Sequence, residues 1–166
     1  APFSFYNAFS ANPPILGIGI GSRRRPASEG NTQLVPKDTY NNIVAGREFV
    51  VNVVSLPIIE QMNQTSGEYA PEVDEFERAG LTAVPSHMVK PPRVKESLVS
   101  MECTLYQTVP LGQSNLVLGQ IVCIHCSDDV WQDNGIDLDR LQPVGRLSGN
   151  SYCRTDGRFD LNRPTI

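Results

Sequence analysis

Two short segments of the sequence carry side chains that could bind a phosphate group together. Ser22 and Arg23 follow an apolar run, and Lys37, Asp38 and Thr39 stand at the start of a predicted helix. The first N–H groups of a helix and the positive end of its dipole favour an anion, and a nearby guanidinium or ammonium adds charge. Asp and Thr are also routine helix caps, so the second segment does not establish a phosphate site by itself.

The two histidines differ in context. His87, in PSHMV, is predicted to be structural or on the surface. His125, in GQIVCIHC, is predicted to lie late on a strand, on the same side as Ile121 and Cys123, and is either a core histidine or a pocket residue. The sequence contains no G-x-S-x-G, H-E-x-x-H or G-x-G-x-x-G motif. Any catalysis would therefore depend on a bound cofactor.

The four cysteines are expected to be free thiols. Cys123 and Cys126 have C-x-x-C spacing. On a strand, however, residues three apart point to opposite faces with Cα atoms about 10 Å apart, outside disulfide range. No second paired motif with zinc spacing is present, so no metal site is predicted. Free thiols are typical of intracellular proteins, and a cytoplasmic location is predicted.

Charge and hydropathy argue against two classes of partner. The net charge of −4 argues against general nucleic-acid binding. The longest apolar runs, FVVNVV and PILGIGIG, are too short to cross a bilayer. Arg23, Arg24, Arg25 and Lys37 form a confined basic patch on an acidic protein, which suits a small anion better than a polymer. A solvated, charged loop is the other interpretation of the arginines.

The apolar pattern predicts a mainly β, antiparallel fold, in a single domain over residues 1–166. One strand covers 15–21, with apolar residues on one face and glycines on the other, where a ligand or another part of the protein approaches closely. A second strand covers 48–54. Strands over 97–109 and 116–126 form a hairpin, on which Glu102 is predicted to point outward. These elements indicate an antiparallel barrel or sandwich.

Short helices are predicted in the connections between strands. The first covers 36–46 and ends at Gly46, and the second begins near Ser55. A third covers 73–80, and a short helical piece lies near 138–141. All are expected to be packing helices.

Four aromatic residues lie within the first nine positions of a chain that is only 7% aromatic. They are Phe3, Phe5, Tyr6 and Phe9. Either they form buried core, or they form one wall of a pocket for a flat ligand.

Several motifs occur in a recognisable order from Ala1 to Arg154. They are APFSFYNAFSANPP, a strand ending in GSR, KDTYNNI, EFVVNVVS, DEFERAGLT, KPPRVKES and GQIVCIHC. Together they resemble the flavin reductase-like family, whose fold is an FMN-binding split antiparallel β-barrel with Greek-key topology and short helical insertions. The resemblance implies a homodimer with two flavin sites at the subunit interface. Family chains carry a first strand and loop ahead of the APFS segment, so the sequence is expected to be a trimmed form of a longer product.

The resemblance also implies site residues. Ala1, Pro2, Phe3 and Ser4 would line the isoalloxazine, with Tyr6 and Phe9 in the core. Ser22, Arg23, Lys37, Asp38 and Thr39 would hold the phosphate and ribityl end. His125 would orient the nicotinamide or polarise the flavin, and Tyr152 and Arg154 would lie over the site.

The implied activity is that of an NAD(P)H-dependent flavin reductase. The nicotinamide would stack on FMN, or on FAD, and pass a hydride from its C4 to N5 of the flavin, while the protein supplies alignment and electrostatics. Two other hypotheses remain open at this point. One is an FMN-binding electron carrier without nicotinamide chemistry, and the other is a split-barrel interaction module without flavin.

Overall fold

A six-stranded antiparallel sheet dominates the computed structural model, which describes residues 1–27 and 31–165. The strands are β1 (Tyr6–Ala11), β2 (Pro14–Pro26), β3 (Thr32–Pro36), β4 (Glu48–Asn52), β5 (Ala83–Val84), β6 (Arg93–Val94), β7 (Val99–Leu111), β8 (Ser114–Cys126), β9 (Trp131–Gln132), β10 (Gly135–Ile136), β11 (Val144–Arg146) and β12 (Tyr152–Arg154). The order in the main sheet is β1-β2-β8-β7-β4, with β3 paired to β2. The helices are α1 (Asp38–Gly46), α2 (Ile59–Gln64), α3 (Glu75–Ala79) and α4 (Leu138–Leu141). The prediction of a mainly β, antiparallel fold is confirmed.

The apolar face of β2 forms the centre of the core. Leu16, Ile18 and Ile20 are buried, as predicted, and pack with Phe49 of β4 and Val117 of β8. We call this side of the sheet the core face. Because this cluster joins side chains of β2, β4, β7 and β8, its burial holds the central strands together.

The three consecutive arginines lie on a strand and not in a loop, which corrects the interpretation of a solvated loop. β2 continues to Pro26 because its second half pairs with β3, from Ser22 opposite Pro36 to Pro26 opposite Thr32. Pairing with β3 satisfies the backbone hydrogen bonds of the arginines, and the strand conformation fixes the faces of the sheet to which their side chains point. Part of the predicted loop, residues 28–30, lies outside the described residues.

The glycine face of β2 is covered by the aromatic residues of the first segment. A Cβ on Gly17 would lie 2.5 Å from Cε2 of Phe9, and one on Gly19 would lie 2.9 Å from Cβ of Phe5. The close approach is therefore made by the protein itself. Phe9 is nevertheless 58% exposed and Tyr6 45% exposed, so the prediction that both are core is wrong. The reason is that β1 is an edge strand, and no further strand of the described residues pairs with its outer side.

The helices begin and end close to their predicted positions, with two differences. The left-handed residue that ends α1 is Arg47 (φ 58°) and not Gly46, and its N–H donates to the carbonyl of Ile43 at 2.8 Å. A 3₁₀ turn over Leu56–Ile58 precedes α2. α3 ends at Gly80 (φ 65°), as predicted, and its N-cap is Asp74, whose side chain accepts from the N–H of Phe76. Within the described residues, no helix combines the length and the apolar character that a membrane span requires.

Candidate functional site

Three separate segments of the chain converge at the start of α1. Nη2 of Arg23, on β2, donates to both carboxylate oxygens of Asp38 at 2.7 and 2.8 Å. Nζ of Lys37 lies 5.9 Å from the ring centroid of Phe3, within the range of a cation–π contact. Phe3 in turn packs against the core cluster. The structure therefore brings together an aromatic residue of the first segment, an arginine of the sheet and the helix start, as the sequence predicted.

The start of α1 offers hydrogen-bond donors to an anion. The N-cap residue Lys37 makes no side-chain cap bond, and its carbonyl accepts from the N–H groups of Tyr40 and Asn41. The N–H groups of Asp38 and Thr39 therefore lie in the first turn, where a helix has no partner of its own to offer them. Nε of Arg23 is buried without a hydrogen-bond partner among the described residues. Free N–H groups, an unpaired guanidinium nitrogen and the Lys37 ammonium together fit a phosphate group.

The other predicted flavin contacts lie around this convergence. Ser22 is half-buried beside Arg23, and its N–H donates to the carbonyl of Gln113 at 2.9 Å. Pro2 is half-buried and Ser4 is exposed, while the amino group of Ala1 lies 3.1 Å from Glu75 of α3. Their roles toward a ligand stay predictions.

Tyr152 and Arg154 are the two residues that the family resemblance placed over the site. They are on β12, which pairs with β11. Arg154 lines a cavity of about 160 Å³ together with Leu56 and Pro143. His125 lines another cavity, and the two sets of lining residues have no member in common. The role of this terminal segment over the site stays a prediction.

His125 is on the opposite side of its strand from Ile121, which corrects the sequence interpretation. Along β7 and β8, Glu102 stands opposite Cys123 but Cys103 stands opposite Ile121, so β8 carries one extra residue at Val122. Such a bulge turns the following side chains to the other face. Ile121 packs against the core, whereas Sγ of Cys123 lies 3.5 Å from Nε2 of His125 on the other side. His125 is therefore a pocket residue and not a core histidine.

Glu102, which the sequence predicted to point outward, is completely buried (0% exposed). It does lie on the face opposite the core face, but residues 85–95, here called the covering loop, close over it. Its carboxylate accepts hydrogen bonds from the backbone N–H groups of His87 (2.8 Å), Met88 (2.6 Å) and Val89 (3.2 Å). Its Oε1 also lies 2.5 Å from Nε2 of His125. These contacts balance the cost of burying the negative charge of Glu102.

These contacts hold Glu102 in its ionised form. Desolvation by burial raises the pKa of its carboxyl, but the hydrogen bonds from the His87 and Met88 N–H groups and from His125 outweigh it and lower the pKa from 4.5 to about 2. The net shift is opposite for Cys103: desolvation and the nearby Glu102 charge both raise the pKa of its thiol, to about 12. Cys103 is therefore an inert core thiol.

The lowered pKa of Glu102 predicts a loss of stability in acid. The pKa of Glu102 is lower in the folded protein than in the unfolded chain, so the ionised carboxylate stabilises the folded state. This contribution to the free energy of unfolding is about 3 kcal/mol above about pH 4.5, and it disappears as the pH falls toward 2. Urea unfolding of the wild type and of Glu102→Gln between neutral pH and pH 3 measures it. The stability gap between the two should narrow as the pH falls. A gap that stays constant over this range would contradict the assignment.

The pocket beside His125 is open and basic. It has a volume of about 530 Å³ and is lined by Arg93, Lys95, Ser97, Leu98, Ile124, His125, Cys126, Ser127 and Asp129. Nε of Arg93 is buried without a hydrogen-bond partner among the described residues and lies 3.9 Å from Oε1 of Glu102. The lining carries the cationic side chains of Arg93 and Lys95 and the carboxylate of Asp129, with the buried Glu102 carboxylate beside Arg93. Lys95 and the unpaired Nε of Arg93 are suited to a ligand that carries negative charge.

His87, Cys123 and His125 form a second group that sequence reasoning did not bring together. Their potential ligand atoms lie within 4.8 Å of one another, and the two histidine rings contact edge to face with centroids 4.8 Å apart. The ligands of one tetrahedral zinc ion lie about 3.3 to 3.8 Å apart, so this group would have to contract to hold an ion. Nε2 of His125 is also already bonded to Glu102. We therefore interpret the group as part of the hydrogen-bonded surroundings of His125.

Glu102 and Arg93 are the site residues that the sequence interpretation missed. The sequence did contain an indication that Glu102 lies near His125. In the predicted hairpin Ser100 stands opposite His125, and Glu102 follows two residues after Ser100, on the same face of the sheet. For Arg93 the signal was its position after the proline pair, in an extended segment that crosses the sheet. Neither signal indicates burial, which depends on where the covering loop lies.

Comparisons with known proteins agree with this fold. The family model of the flavin reductase like domain matches residues 1–138. An uncharacterised protein of Halalkalibacterium halodurans is 41% identical over 172 residues, covering 100% of this chain and 78% of the relative.

Two solved structures have the same architecture. Component B of nitrilotriacetate monooxygenase from Bacillus cereus is 31% identical with a TM-score of 0.86, and the match covers 97% of this chain and 78% of that one. A Shewanella frigidimarina protein described as a flavin reductase with a split barrel domain is 30% identical with a TM-score of 0.81, covering 98% and 77%. The chain therefore belongs to the flavin reductase-like family of flavin-related oxidoreductases, and its fold is the split antiparallel β-barrel that the motifs predicted.

Proposed function

We propose that the protein is an NAD(P)H-dependent flavin reductase that uses FMN. The observation that carries the proposal is the convergence of Phe3, Arg23 and Lys37 at the uncapped start of α1, in a chain of the flavin reductase-like family. A single helix start with one lysine and one arginine is suited to the single phosphate of FMN. The bound flavin would supply the redox chemistry by accepting a hydride, two electrons and one proton, from the nicotinamide.

The side chains of this chain bind and orient in the proposed reaction. Lys37 and the N–H groups at the start of α1 bind the phosphate and neutralise its charge. Arg23 binds the phosphate through its unpaired Nε, while Asp38 holds Nη2 of the same guanidinium. Phe3 provides an apolar surface next to Lys37 for the flavin. His125 borders the basic pocket, where it orients the nicotinamide, and Arg93 and Lys95 provide charge for its phosphates.

Purified protein tests the proposal directly. FMN added to the protein should be bound, seen as a change in flavin fluorescence, and NADH or NADPH should then be oxidised with FMN present and not without it. Bound flavin without nicotinamide oxidation would contradict the reductase and favour the electron carrier. A protein that takes up no FMN would contradict both and favour the interaction module. Repeating the titration with FAD compares the two flavins.

We also propose that the active form is a homodimer in the cytoplasm. The proposal is supported by exposed aromatic side chains at the edge of the sheet, where Phe5 just before β1 is 78% exposed and Phe9 on β1 is 58% exposed. Cys103, Cys123, Cys126 and Cys153 are free, as in proteins of a reducing compartment. Light scattering coupled to gel filtration gives the oligomeric state, and a monomer at micromolar concentration would contradict the dimer.

A further inference from the structure

Glu102 lies between two parts of the candidate site that are far apart in sequence. On one side its carboxylate holds the backbone of His87, Met88 and Val89 in the covering loop. On the other side it holds Nε2 of His125 on β8. Since a strand residue is fixed by the sheet, the carboxylate connects a rigid element to both the loop and the histidine.

The direction of the bond to His125 follows from the other bonds. A carboxylate that receives three backbone N–H groups is ionised and can only accept hydrogen bonds. Nε2 of His125 must therefore carry the proton of this bond, which fixes the orientation of the ring and leaves Nδ1 as the nitrogen available to a ligand. The ring borders the pocket of about 530 Å³, and no hydrogen bond of Nδ1 is described within residues 1–27 and 31–165.

We propose that Glu102 is a positioning residue for the nicotinamide reaction: it keeps the proton of His125 on Nε2 and so presents Nδ1 to the nicotinamide substrate in the basic pocket. A carboxylate that fixes the tautomer of an imidazole in this way is a familiar device in enzyme sites. The identity of the substrate in this proposal rests on the proposed function. The assignment of the His125 proton to Nε2 does not depend on it.

Glu102 shares the attachment of the covering loop with other side chains of the same sheet face. Two other side chains already attach the covering loop to the same face of the sheet. Oε2 of Glu48 accepts from the N–H of Lys90 at 2.9 Å, and Oδ1 of Asn52 accepts from the N–H of Val94 at 3.0 Å. No contact of either side chain with His125 is described, so Glu48 provides a matched carboxylate for comparison.

The kinetic experiment compares Glu102→Gln with Glu48→Gln in the flavin-loaded protein. Glu102→Gln should lower kcat/KM for nicotinamide oxidation by about 10- to 100-fold while FMN affinity stays within about twofold. Glu48→Gln removes the same charge from a different attachment of the same loop, at Lys90, and should keep kcat/KM within about twofold. Equal losses in the two variants, or a loss that follows FMN affinity, would overturn the positioning role.

A measurement on the wild type tests the tautomer without any activity. In ¹⁵N-labelled protein at alkaline pH, with the His125 signals assigned by their absence in His125→Gln, a proton should be found on Nε2. A neutral ring protonated on Nδ1 would overturn the proposal, even if Glu102→Gln failed to fold. If the Nε2 proton is found but no nicotinamide is oxidised, the proposed function fails and the tautomer assignment to Glu102 stands.

Discussion

Replacing Arg23 and Lys37 together with alanine should weaken FMN binding by about 100-fold or more. Hydrogen bonds to charged groups contribute about 1.5 to 3 kcal/mol each, and every 1.4 kcal/mol is tenfold in affinity. Loss of Arg23 has an additional effect, because it leaves the carboxylate of Asp38 unpaired at the start of α1, where it would repel the phosphate. Titration of the protein into FMN, followed by flavin fluorescence, measures the affinity.

The matched control is the double variant Arg24→Ala and Arg25→Ala. Both residues are exposed on the same strand as Arg23 and stand opposite Leu34 and Gln33 of β3. This variant loses the same net charge without touching the start of α1, so its FMN affinity should change by less than about threefold. Similar affinity losses in the two double variants would mean that a diffuse basic field, and not a phosphate site at α1, attracts the flavin.

Replacing Leu16 with alanine should destabilise the protein by about 2 to 5 kcal/mol, the usual cost of such a truncation in a packed core. Leu16 is 0% exposed and lies at the centre of the cluster that joins β2, β4, β7 and β8. Its neighbour across the strand pair is Gly119, which carries no side chain that could move into the cavity. Urea unfolding followed by circular dichroism gives the free energy of unfolding.

Leu34→Ala is the control for this prediction. It removes the same atoms from β3, at a position that is 47% exposed, and should change the free energy of unfolding by less than about 0.5 kcal/mol. Equal destabilisation by the two substitutions would contradict the central place of Leu16 in the core. A change in the urea dependence itself would indicate that the denatured state has changed as well.

Elements with a strong local signal could be predicted from the sequence. The alternation of ILGIGIG identifies β2 because one face must be buried, and Leu16, Ile18 and Ile20 are indeed buried. Gly80 marks the end of α3 because it takes the left-handed conformation there. The convergence of Phe3, Arg23 and Lys37 could be predicted only through the family resemblance, since nothing local connects segments so far apart.

Features that depend on tertiary placement could not be predicted. The arginines form a strand because β3 pairs with them, and the sequence TQLVP alone gives little indication of that partner. His125 changes face because of one extra residue at Val122, a shift that an alternating pattern does not show. Glu102 is buried because the covering loop crosses the sheet at that point.

The covering loop donates to Glu102 through main-chain N–H groups, so the amino-acid sequence of the loop can vary without loss of these hydrogen bonds. His87, Met88 and Val89 are held by their N–H groups, which any residue except proline provides. Homologous enzymes could therefore exchange the side chains next to His125 over evolutionary time while retaining the loop's shape. A combinatorial library at positions 87 and 88 that excludes proline should yield mostly folded variants with altered substrate preference.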